Sequence, residues 1–226
     1  MCASRLATAG IAASLVGLLY AYERLTIAFP DVPDLYAVGG LTVAFALAVV
    51  LWLGVDALRW RRTLRPLGLE YVGFSSGEDS YVSELETYRG RFGGRPVTVA
   101  CREGAVGSRR TRTDVETPVR ASVGPTIRVR RSGLGGKPDD ALPERVSVPR
   151  VERFDVHSPD AELARDLLGR PAVREALSGA EAVDELLVTE GFARTRSRGR
   201  VFDADEIRRQ VDLVCETAAA LEDAAA

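Results

Sequence analysis

Residues 86–102, ETYRGRFGGRPVTVACR, read as a β-hairpin. Two β-compatible runs flank Gly93-Gly94, and glycine supplies the positive φ that a two-residue hairpin turn requires. In the second arm Val97, Val99 and Cys101 alternate with Thr98, Ala100 and Arg102, so one face can be buried while the other stays in water. The strand pattern extends both ways. Residues 67–74 enter a domain as a strand, and 78–85 are ambiguous. Residues 115–123 and 126–131 alternate again, with Ile127 and Val129 inward and Arg128 and Arg130 outward.

Downstream, residues 132–143 (SGLGGKPDDALP) form a loop by their Gly, Pro and Asp content. Residues 153–156 are a short β run. Ser158 is expected to cap a helix whose first position is Pro159 and which stops at Gly169. Pro171 opens a second short helix, to about Leu177. Residues 183–189 and 192–198 make another hairpin across Glu190-Gly191, although 180–187 also fits a helix. Asp203 starts a closing helix, with Glu206 three residues on as in a capping box. Its apolar stripe is Ile207, Val211, Val214, Cys215, Ala218 and Leu221. This order predicts an α+β domain, a mainly antiparallel sheet with helices on one face.

Upstream the chain changes character. Two stretches carry no charge, 6–22 and 35–55 (LYAVGGLTVAFALAVVLWLGV). At ~1.5 Å per residue the second is about 31 Å long, one hydrocarbon thickness. Arg5 before a short apolar core also fits a signal peptide, but tyrosines at 20 and 22 spoil the cleavage site. The expectation is a two-helix transmembrane hairpin over 1–58, with Pro30 and Pro33 breaking the connector. A basic juxtamembrane segment, 59–66, and a cytoplasmic domain, 67–226, follow. Arg59, Arg61, Arg62 and Arg65 place both termini on the cytoplasmic side of the cell membrane, with Trp52 and Trp60 at the interface. The same four arginines are candidate lipid-headgroup contacts. Ala9, Ala13 and Gly17 in the first span, and Gly40, Ala44 and Ala48 in the second, are spaced to let two helices pack closely in lipid or to serve oligomerisation.

The net charge of −2 hides a segregation. Residues 59–153 hold 19 basic and 12 acidic side chains, and 155–226 hold 9 and 16. The halves can face each other within one domain, or the basic half can meet an anionic partner. Lys137 is the only lysine, and Cys2, Cys101 and Cys215 are isolated, as in a reducing compartment.

Reaction chemistry is hard to find. Gly133-Leu134-Gly135-Gly136-Lys137 lacks the phosphate-loop spacing, since Arg131 and Pro138 stand where glycine and a hydroxyl residue belong. His157 is the only histidine and lies beside a helix cap. Cys101 and Cys215 fall on apolar faces and read as small core residues. The carboxylate groups are Glu84 with Glu86, Asp139-Asp140, and Asp203, Asp205 and Glu206. No catalytic, cofactor-binding or metal residue is assigned, and no cofactor is implied. Arg109, Arg110, Arg112, Arg128, Arg130 and Arg131 form the densest basic region, but no aromatic platform or recognition helix accompanies them, which argues against nucleic acid.

Phe154-Asp155-Val156, Asp160 and Ala164-Arg165-Asp166-Leu167-Leu168 carry a resemblance, over about a fifth of the chain, to uncharacterised prokaryotic membrane-anchored proteins. The resemblance implies two N-terminal spans before a cytoplasmic α+β domain and transfers no catalytic motif. The expectation is a membrane-anchored, non-catalytic protein in contact with the lipid bilayer. Its cytoplasmic domain binds a protein partner or forms a homo-oligomer. The alternatives are a membrane-tethered hydrolase using a carboxylate or metal site, and anionic lipid or nucleic-acid binding through the Arg-rich strands.

Overall fold

The computed structural model describes residues 34–73, 84–103, 111–120, 126–133, 145–149, 151–189 and 191–225. The first expected span, with Ala9, Ala13 and Gly17, lies outside the described residues, as do Asp139-Asp140 and most of the 132–143 loop. The chain divides into two compact units, Met1–Arg59 and Trp60–Ala226.

Helix α1 (Asp34–Leu64) begins in the first unit and contains the whole charge-free run 35–55. Among the described residues no helix is long and apolar enough to cross a membrane. Within that run several side chains fall outside the described ones, and 42–49 is the longest continuous described stretch. Val43, Leu47, Leu51 and Val55 are 53–68% exposed and recur every four residues, one per turn. Gly40, Ala44 and Ala48 are exposed as well.

The described residues of the second unit form nine strands. They are β1 (Glu70–Gly73), β2 (Glu84–Phe92), β3 (Arg95–Glu103), β4 (Thr111–Pro118), β5 (Ile127–Arg131), β6 (Arg145–Val146), β7 (Phe154–His157), β8 (Glu185–Thr189) and β9 (Phe192–Arg198). They form one sheet in the order β1-β2-β3-β4-β9-β8-β5-β7-β6, and every pairing is antiparallel. The β2–β3 hairpin turns on Gly93 and Gly94 at φ 55° and 80°, the positive pair of a type I′ turn. The β8–β9 hairpin forms as expected, and 180–187 is not a helix. Strand β4 starts earlier than the expected 115–123. Thr113, Val115 and Thr117 face inward there, while Arg112, Asp114 and Glu116 form the other side.

Among the described residues three further α-helices follow: α2 (Ala161–Gly169), α3 (Pro171–Gly179) and α4 (Ala204–Ala225). The start of α2 corrects the expected cap. Asp160, not Ser158, accepts the Leu163 N–H at 2.9 Å, so the helix begins at Ala161 and Pro159 precedes it. Ser158 instead takes the Asp160 N–H on its hydroxyl, at 3.1 Å. At α4, Asp203 Oδ1 accepts the N–H groups of Asp205 and Glu206 at 2.9 and 3.3 Å. The reciprocal half of the expected capping box is absent, because the Glu206 carboxylate takes the Ala182 N–H at 2.8 Å and the Arg209 guanidinium at 2.9 Å.

Helix α4 lies across β4 and β9, with α2 and α3 packed beside it. Its stripe is buried as expected except for half-buried Cys215, and Gln210, Leu213 and Thr217 join it. Each large apolar side chain so buried contributes about 1.5–3 kcal/mol. The polar Gln210 is accommodated by hydrogen bonds, donating to Ser197 Oγ at 3.0 Å. Trp60 departs from its expected place at a lipid interface. It is fully buried with Leu64 in the domain core, edge-on to Phe202 with ring centroids 6.1 Å apart. A large apolar surface contacting other apolar groups outweighs the interfacial preference of indole.

Candidate functional site

Strand alternation gives the sheet two unlike faces. On the inner face Val97, Val99, Cys101, Val115, Ile127, Val129, Leu186, Val188 and Ala193 build the core. On the outer face of β3, β4, β9, β8 and β5, seven arginines meet three carboxylates. The arginines are Arg102, Arg112, Arg128, Arg130, Arg194, Arg196 and Arg198, and the carboxylates are Asp114, Glu116 and Glu185. Register arranges these into cross-strand rows. One row alternates in sign, Asp114, Arg196, Glu185, Arg130 and then Asp155 of β7. Opposite charges placed directly across neighbouring strands stabilise a sheet.

The pairs are short. Arg128 Nε lies 2.6 Å from Glu185, and Arg196 Nη1 lies 3.0 Å from its other oxygen. Arg194 Nε donates to Glu116 at 2.7 Å and stacks over the Phe192 ring at 4.5 Å. Asp114 is different. Its side chain is 1% exposed, with Arg102 at 3.4 Å, Arg112 at 3.5 Å and Arg196 at 4.0 Å, and neither oxygen has a hydrogen-bonding partner among the described residues. Burial pushes this carboxyl up from its ordinary range, and the surrounding guanidiniums offset only part of that push. Arg112 is shifted down, first by burial and then by the neighbouring arginines, against the pull of Asp114.

The sequence-predicted groups scatter. Arg112, Arg128 and Arg130 meet on this face, while Arg109 and Arg110 lie outside the described residues. Arg131 donates to the Glu181 carbonyl. Arg61, Arg62 and Arg65 are exposed in the second unit, with Arg61 over the Tyr71 ring at 4.9 Å, and Arg59 is exposed in the first. Glu86 is buried on the inner side, accepting from Tyr88 Oη at 3.3 Å with Arg200 at 3.9 Å. Burial of Tyr88 itself, together with the Glu86 charge, lifts its hydroxyl to about 12. The Glu84 side chain is outside the described ones. Cys101 is fully buried, and its sulfur accepts from Arg200 Nε at 3.2 Å. Burial moves the Cys215 thiol up to about 11, away from thiolate chemistry. Among the described residues no three His, Cys, Asp or Glu side chains are grouped to hold a metal. A cleft of about 310 Å³ between residues 151–154 and α3 is lined by Phe154, Leu177, Arg153 and Arg174.

The two halves of opposite charge interleave rather than forming separate patches. Arg128 meets Glu185, Arg194 meets Glu116, and Arg95 grips Glu222. The arginines of β9 are the functional-face residues that sequence reasoning missed. Their signal is arginine at every second position, 194, 196 and 198, in an otherwise β-compatible run.

No known family and no curated protein matches the chain. Among solved structures, the crystal structure of the mycobacterial trehalose monomycolate transport factor A, TtfA, is similar with a TM-score of 0.55 and 11% identity, over 72% of this chain and 92% of that one. The likeness shows a shared α+β fold.

Proposed function

We propose that this is a membrane-anchored, non-catalytic protein whose α+β domain docks a protein partner, or further copies of itself, close to the cytoplasmic side of the bilayer. The observation that carries the reading is the exposed apolar stripe Val43, Leu47, Leu51 and Val55 on α1, inside a 21-residue charge-free run. Large aliphatic side chains recurring on every turn and left exposed call for lipid or another helix around them. Arg59, Arg61, Arg62 and Arg65 follow directly and fit the positive-inside arrangement. The charged outer face supplies a docking surface of ion pairs rather than a reaction centre. The neighbour of similar fold is named a transport factor, a description in keeping with an accessory role.

Affinity purification of the full chain from membranes in mild detergent tests both halves of this reading. The expected result is extraction only with detergent, together with a stoichiometric partner or a homo-oligomer. Partition into buffer without detergent, or digestion of the domain by protease added to intact cells, overturns the anchoring. A monomer that retains nothing overturns the docking role.

A further inference from the structure

Residues 151–154, VERF, enter β7 through a tight turn. The Phe154 N–H donates to the Val151 carbonyl at 3.0 Å, and the Arg153 carbonyl accepts from the Ser132 N–H at 2.9 Å. These two bonds fix the turn to the end of β5. Facing it is α3, seated in the core by Val173 and Leu177. The cleft between them measures about 310 Å³, at the lower end of the roughly 300–1,000 Å³ that small-molecule sites occupy. Its apolar wall is Val151 and Leu177, both buried, and half-buried Phe154. The polar lining is Arg153, Arg174, Glu152 and Ser178. Ser178 donates its hydroxyl proton to the Arg174 carbonyl at 2.8 Å, which leaves none for an anion. The two arginine side chains are uncommitted, since neither guanidinium makes an ion pair or hydrogen bond among the described residues. Exposed Arg153 and half-buried Arg174 therefore offer their forks to a ligand, and such forks match the paired oxygens of a carboxylate. Two guanidiniums against the one carboxylate of Glu152 leave a single positive charge. A monoanion balances it, whereas a dianion exceeds it and meets Glu152 as well.

We propose that this cleft is a binding site for a small monocarboxylic acid carrying one compact apolar group, such as an aromatic ring. The apolar group lies against Val151, Phe154 and Leu177, and the carboxylate accepts from Arg153 and Arg174 at the rim. Glu152 selects against more highly charged anions. The site lies wholly in the second unit and holds whether or not α1 sits in a membrane or a partner docks on the sheet.

The test is a calorimetric titration of the full chain in non-ionic detergent with phenylacetate, with the heats of detergent alone subtracted. Acetate, phenylacetamide and phenyl phosphate are titrated beside it. Saturable binding of phenylacetate is expected. Phenylacetamide, which keeps the ring and lacks the charge, binds about tenfold more weakly, the loss of one charge-assisted contact. Acetate, which lacks the ring, and phenyl phosphate, which carries nearly two charges at neutral pH, also bind more weakly. Arg174→Gln weakens phenylacetate binding by about tenfold, and Arg153→Gln, at an exposed position that folding tolerates, weakens it too. Arg89→Gln removes the same charge from exposed β2, near the opposite edge of the sheet, without effect. Glu152→Gln narrows the gap between phenyl phosphate and phenylacetate. The proposal is overturned if phenylacetate does not bind beyond the detergent blank, or if acetate, phenylacetamide or phenyl phosphate binds as tightly. It is equally overturned if Arg174→Gln and Arg153→Gln bind as the unaltered chain does.

Discussion

Glu222 anchors the end of α4 to the sheet, and its removal has a pH signature. Arg95 donates to both carboxylate oxygens, Nη1 at 3.0 Å and Nη2 at 2.6 Å, and the Arg120 N–H adds a third bond at 2.9 Å. These contacts, the Arg95 fork first, hold the carboxyl at about 2 instead of 4.5. That depression corresponds to a ceiling of about 3 kcal/mol. The Arg95 and Glu222 side chains keep 24% and 22% of their exposure, so solvent screening reduces the contribution to about 1–2 kcal/mol. A depressed carboxyl contributes stability that is present above its unfolded value near 4.5 and is lost as pH falls toward about 2. Glu222→Gln is therefore expected to lower the melting temperature at pH 7 by about 2–8 °C for a domain of this size. The gap should close as the two proteins are melted at successively lower pH. Circular dichroism melts of the detergent-solubilised chain from pH 7 to 2 measure it. Arg95→Gln should give a similar loss, with little further effect in the double variant, because the two residues form one contact. A gap that does not change with pH, or no gap at pH 7, refutes the reasoning.

Trp60→Ala removes the largest fully buried side chain of the domain and should cost about 3–5 kcal/mol in urea denaturation, with loss of the near-ultraviolet signal from its contact with Phe202. For Asp114 the sign is the reverse of Glu222. A carboxyl raised in the folded state favours folding fully below its unfolded value, and that contribution is lost as pH rises through the folded one. Asp114→Asn should then leave stability at pH 7 within about 1 kcal/mol of the unaltered chain or raise it. A loss of about 3 kcal/mol or more would mean that the three guanidiniums fully compensate the buried charge.

Local signals carried the fold a long way. Gly93-Gly94, Pro171 and the apolar stripe of α4 each specify their element from a few neighbouring residues, because φ restrictions and side-chain periodicity act at short range. Ser158 and Asp160 are both capable of capping α2, two residues apart, and only the chain path entering the helix selects Asp160. The burial of Trp60 is not legible locally, because it depends on Phe202, far along the sequence. The charged rows were illegible for the same reason. Arg128 and Arg130 were expected to face outward, but their partner Glu185 is set by β5 pairing with β8 across a long stretch of intervening chain. The alternation of Arg128 and Arg130, like the unread one at 194, 196 and 198, indicates a face without naming its counter-charges.

Among the described residues the outer face owes its positive character to guanidinium alone, since every basic side chain of its strands is an arginine. Guanidinium keeps its proton across the physiological range and does not accept the acyl groups that silence an ε-amine. Neither a shift in acidity within the physiological range nor lysine acetylation removes its positive charge. Amine-reactive cross-linkers will pass it over, so mapping its contacts calls for dicarbonyl reagents that modify arginine. Salt concentration is the lever that weakens its ion pairs.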